Sequence, residues 1–125
     1  MEKARTAVRV IFGLMWVVFG VNFFLHFIPQ PPPPEEAMKF MSGLMANPIF
    51  FPFMKVVEIT CGVLLLANVA VPLALVILAP ITLNIILYHA VLDPAGAGLA
   101  VVMVVLHVFL GYAYFNSYRP LFKRV

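Results

Sequence analysis

Lys55 and Glu58 are the residues of this chain best suited to chemistry, and they stand where charge is least expected. Residues 53–71 (FMKVVEITCGVLLLANVAV) are apolar apart from this pair, Thr60 and Asn68. A charge at the centre of a bilayer costs about 2.5–3.5 kcal/mol on insertion scales, so an ionisable residue in such a segment is either masked by partners or put to use. Three apart on a helix, the two side chains are neighbours and can neutralise each other. Lysine ahead of glutamate is the poorer order for helix stability, which points to another reason for their placement. Glu58 is then the group to act as acid, base or ligand contact. The plainer reading is an ion pair that keeps two helices in register.

Other polar residues are spaced to join the pair. Asn22 and His26 are four apart, hence on one helix face, at the end of a first apolar segment. Asn84 and His89 lie in the far half of a third segment, with Asp93 just beyond, and His107 sits deep in a fourth. Three histidines on different segments, with Glu58, could in principle supply nitrogen and oxygen ligands to zinc, iron or copper. No HExxH or ExxH spacing supports that, and the expectation is no metal. A ligand-binding or proton-relay cluster competes with histidines satisfied inside the bundle. For His107 alone, an interhelical hydrogen bond is the expected role.

The elements that must carry these residues are membrane helices. The 125 residues are 64% hydrophobic and 10% charged, with a mean hydropathy of +1.07, against about 25% charged in soluble domains. Spanning a hydrocarbon core takes about 20 residues of helix. Spans are expected over residues 7–28, 52–70, 72–92 and 96–116, in a single domain over residues 1–125. The expected fold is all-α: an antiparallel bundle of four transmembrane helices. The first apolar run is too long for a signal peptide and no small-residue cleavage site follows it, so it is read as a true span. Gly13 and Gly20, seven apart, form a stripe that would let a neighbouring helix approach closely. The proline-rich segment 29–34 (PQPPPP) ends the first span in an extended conformation. Residues 35–46 then have the pattern of a short amphipathic helix at the outer interface. Pro72 suits the first turn of span three. Pro80 removes one backbone bond within it.

Six of the eight basic residues flank the ends: Lys3, Arg5, Arg9, Arg119, Lys123 and Arg124. The positive-inside rule then puts both termini in the cytoplasm, in agreement with an even number of spans. These cations are topology determinants near anionic headgroups rather than a nucleic-acid surface. Under this topology Asn22, His26, Lys55, Glu58, Asn84, His89 and Asp93 all fall in the outer halves of spans one to three. An outward-opening polar pocket is the expected result. Cys61 is the sole cysteine, so no internal disulfide is available, and a small packing residue is expected there.

The chain resembles the DoxX family of small four-helix membrane proteins. The likeness rests on GLMWVVFGVNFFLHF in span one, PFMKVVEITCGVLLLANVAVPLALVILAP across spans two and three, and NIILYHAVLDPAGAGLA after them. Glu58 with Gly62 matches that family's span-two signature, as do Asn22 and His26 at the outer end of span one. The resemblance implies a bacterial-type cytoplasmic membrane protein. It also implies a role as a membrane subunit alongside another membrane or periplasmic redox protein. Without paired cysteines, thiol relay by this chain itself is not expected.

The functional expectation is a membrane subunit or binding module, not an enzyme on its own. Its pocket of Glu58, Lys55, Asn22, His26, Asn84 and His89, with Asp93 and His107 secondary, would take a small polar ligand. A quinone-like headgroup is one candidate, and homo-oligomers are compatible with the pattern. The alternative is a structural or assembly partner whose polar residues only hold the bundle together.

Overall fold

The computed structural model describes residues 2–26 and 32–122. The chain is an all-α four-helix bundle, and no strand occurs among the described residues. Its helices are α1 (Glu2–Leu25), α2 (Glu35–Met45), α3 (Phe50–Ala67), α4 (Val71–Val91), α5 (Ala97–Ala113) and the short α6 (Phe115–Tyr118). One-turn 3₁₀ segments at Pro94–Gly96 and Arg119–Phe122 flank α5 and α6. Four helices, with Pro94–Gly96 counted into the last, are long and apolar enough to cross a membrane. Their exposed surfaces are largely apolar, as Leu83, Leu87 and Val91 on α4 and Val101, Val105 and Val108 on α5 illustrate. A lipid environment is what such a surface fits, because a soluble monomer exposes no apolar patch of this extent.

The ends of the helices have local causes. α1 begins at Glu2, so the basic residues expected to precede it form its first turns. It stops at Leu25 because His26 takes a left-handed conformation, φ 53°, while its N–H still bonds the Asn22 carbonyl at 2.7 Å. The expected extension to Ile28 and residues 29–31 of the proline-rich segment lie outside the described residues. Pro34, with φ −58° and ψ 160°, is in the polyproline region. α3 ends on Asn68, whose φ of 57° makes it a left-handed cap. Ala70 also has positive φ, and Pro72 opens α4 in its first turn. α4 continues through Pro80.

The bundle is a ring in which α1 packs on α3, α3 on α4, α4 on α5, and α5 back on α1. Phe12, Trp16, Leu65, Leu75, Leu78, Met103 and Leu110 form one continuous buried core through all four. α2 rests against α3. Its Ala37 is buried, and its Phe40 ring lies 5.9 Å from that of Tyr88 on α4.

Candidate functional site: the interface of α1 and α3

Glycine brings α1 and α3 together. A Cβ at Gly62 would fall 2.8 Å from Val17 Cγ2 and 2.9 Å from the Gly13 carbonyl oxygen. One at Gly13 would fall 3.0 Å from the Gly62 carbonyl oxygen, and one at Gly20 would fall 2.5 Å from Ile59 Cγ1. The two backbones therefore touch through hydrogen alone at Gly13 and Gly62, the close approach expected of small residues between membrane helices. Glu58 is one turn from Gly62 on the same face of α3. The contact that needs a glycine at position 62 thus carries the carboxylate into the interface.

Glu58 is only 2% exposed. Lys55 Nζ donates to its Oε1 at 3.4 Å. The same ammonium lies 6.0 Å from the Phe23 ring centre, and Phe23 stacks on Phe51 at 6.1 Å. Lysine is thus shared between a carboxylate and an aromatic face. Glu58 Oε2, also buried, has no hydrogen-bond partner among the described residues, and neither does Trp16 Nε1. Trp16 packs on the Gly62 surface, its Cβ 3.1 Å from where a Gly62 Cβ would be. An unsatisfied acceptor on α3 and an unsatisfied donor on α1 therefore sit in one helix interface. Each such group costs about 1–3 kcal/mol relative to a bonded one. The depth adds to the cost. Glu58 is eight residues into the 18 of α3, ~12 Å along a helix of ~27 Å, which is in the half expected from sequence but close to the helix's middle.

The remaining predicted residues go to other places. Asn22 is buried on α1, 6% exposed. His26 is exposed at the end of α1. Asn84 is exposed on α4, on the outward arc it shares with Leu87 and Val91. His89 turns to its own chain terminus of α4: Nδ1 donates to the Asp93 carbonyl at 3.2 Å and lies 3.8 Å from the Asp93 carboxylate. Gly96 is needed beneath it, since a Cβ there would fall 2.5 Å from the His89 ring. His107 joins α5 to α4, donating from Nε2 to the Leu75 carbonyl at 3.0 Å. Its Nδ1 lies 3.0 Å from the Thr82 hydroxyl. The outer-half residues thus divide between the α1–α3 interface, the α4 terminus and the surface. Among the described residues, no three His, Cys, Asp or Glu side chains come together as metal ligands would.

Three contributors escape a search for polar clusters. Trp16 is the only tryptophan in the chain, a signal easily passed over in an apolar helix. Thr82 reads as a neutral helix residue until His107 is placed beside it. Arg9 reads as a flanking cation, yet it is buried. Its Nη1 donates to the Leu65 carbonyl and to that of Leu66 at 3.2 Å, capping the last turn of α3.

Comparisons of the chain with protein-family models, with curated proteins and with solved structures find no match.

Proposed function

We propose that this chain is a membrane-embedded binding subunit of the DoxX type, with Glu58 as its working group. In this reading Glu58, paired with Lys55, holds a small ligand bearing a hydrogen-bonding polar group, for which a quinone-like headgroup is the leading candidate. The protein would sit in a bacterial-type cytoplasmic membrane with both termini inside. It would serve a membrane or periplasmic redox partner rather than catalyse alone. One observation carries the reading: a fully buried carboxylate with one oxygen on Lys55 and the other unbonded, facing a helix whose indole N–H is also unbonded. A ligand group that donates a hydrogen bond would satisfy the free Glu58 oxygen.

A structural role is favoured by a separate observation. Glu58 lies on α3 beside Ile59, which Gly20 meets, and one turn from Gly62, which Gly13 meets, so its pair with Lys55 could serve only to fix the seating of α1 on α3. The two readings differ in what replacement does. A buried ion pair exchanged whole for apolar residues is often neutral or stabilising, whereas removing one partner costs about 3–5 kcal/mol.

The test is native mass spectrometry and solvent extraction of the protein purified from its own membrane in mild detergent. The wild type should carry a co-purifying small molecule that Glu58→Gln loses, and the Lys55→Met/Glu58→Met double variant should lose it too while remaining folded. Retention of the same molecule by a folded double variant, or an empty wild type, would overturn the binding reading and leave the structural one.

A further inference from the structure

A second feature lies at the opposite end of the bundle from α2, away from Glu58. A lateral groove of about 280 Å³ runs between α4 and α5, walled by Leu75, Ala79, Gly111, Tyr118, Leu121 and Phe122. His107 reaches its floor, but its Nε2 is already committed to the Leu75 carbonyl. The Tyr118 hydroxyl is likewise committed, donating to the Pro72 carbonyl at 2.8 Å. The wall therefore presents hydrocarbon and no free donor, and an occupant there is an alkyl chain. At Gly111 the groove is open, because a Cβ would meet nothing within 4 Å.

The end of the groove carries charge. Phe122 stacks on Phe115 at 6.4 Å, and the Arg119 guanidinium lies 5.8 Å over the Phe115 ring. Among the described residues, no carboxylate is paired with Arg119. The five acidic residues are each engaged elsewhere: Glu2 with Arg5, Glu35 and Glu36 with Lys39, Glu58 with Lys55, and Asp93 with His89. A hydrocarbon slot with the Arg119 cation beside it fits one chemistry, an anion with an alkyl tail, and basic residues beside membrane helices attract anionic headgroups in general.

We propose that the α4–α5 groove is a binding site for one anionic phospholipid, its acyl chain along Gly111 and its phosphate at Arg119. The proposal stands apart from the Glu58 reading, because the two sites share no residue. Arginine is suited to the task, since its planar fork grips phosphate oxygens bidentately.

The protein in detergent would be titrated with phosphatidylglycerol, and separately with phosphatidylcholine of the same acyl chains, and bound lipid counted by native mass spectrometry. A single phosphatidylglycerol should be retained about tenfold more tightly than phosphatidylcholine, equivalent to about 1.4 kcal/mol. Gly111→Leu should abolish retention by filling the slot. Gly98→Leu, on the same helix where a Cβ also meets nothing, should leave it unchanged. Arg119→Gln, at an exposed residue that does not touch the wall, should remove the preference for phosphatidylglycerol. Equal retention of the two lipids by the wild type, or undiminished retention in a folded Gly111→Leu, would overturn the site.

Discussion

Arg9 shows how far a residue's type can mislead about its work. Counted along the chain, it is the third of three cations before an apolar segment, and its type suits a topology signal. In the folded protein its guanidinium is buried against the last carbonyls of α3. A helix C-terminus carries partial negative charge and unsatisfied carbonyls, so a cation there is favoured on both counts. Hydrogen bonds to a charged group are worth about 1.5–3 kcal/mol. Arg9→Gln should therefore lower stability by an amount in that range, read as a fall in thermal unfolding temperature in detergent. Arg5→Gln, at a residue bridged to exposed Glu2 and lying 5.3 Å over the Tyr114 ring, should change it by less, about 1 kcal/mol, as exposed ion pairs and cation–π contacts do. Equal losses in the two variants would mean that Arg9 acts as a general surface charge after all. Arg9 was illegible in sequence because its partners are backbone carbonyls 56 and 57 residues away, which leave no mark in the side-chain pattern.

Helix pairing was more legible than helix facing. The four spans follow from hydropathy, the break at Asn68 and Pro72 from turn chemistry, and the close approach of α1 from the Gly13 and Gly20 stripe. What sequence could not supply was the rotation of α4. A helix apolar on every side has no periodic signal to show which face is inward, so Asn84 could be assigned to a pocket when it lies on the outward arc. Glycine 62 is where the α1–α3 pair is most exposed to test. Gly→Ala in an exposed helix interior normally gains up to about 1 kcal/mol. At Gly62 the added methyl would meet the Gly13 carbonyl oxygen at 2.9 Å, a backbone atom that cannot rotate aside, and overpacking of this kind costs about 1–3 kcal/mol. Gly62→Ala should destabilise the protein while Gly98→Ala, with open space around it, stabilises it slightly. Chemical unfolding of the two variants in one detergent gives the signs, and a stabilising Gly62→Ala would refute backbone contact between α1 and α3.

At the scale of the molecule, the ring of helices is fastened by single polar links between different pairs: Arg9 joins α1 to α3, His107 joins α5 to α4, and Tyr118 returns the end of the chain to α4. The Tyr118 link forms after the last span, where the segment Arg119–Phe122 begins, so it fixes how the C-terminal segment folds back over the bundle. Burial holds the Tyr118 hydroxyl above its ordinary value near 10. The sign of the pH dependence follows. An acid whose folded pKa exceeds its unfolded one contributes stability in full below the unfolded value, and that contribution is lost as pH rises through the folded value. Tyr118→Phe removes one hydrogen bond, worth about 0.5–1.5 kcal/mol, and cannot titrate. The wild type should thus be the more stable of the two near neutrality, and the gap should close as pH climbs past about 10. The other tyrosines are common to both proteins and cancel in the difference. Thermal unfolding of the pair across a pH series in one detergent measures it. A gap that stays constant through the alkaline range would show that the hydroxyl contributes by packing alone, and the C-terminal segment would then be held by Phe115 and Phe122 rather than by its bond to Pro72.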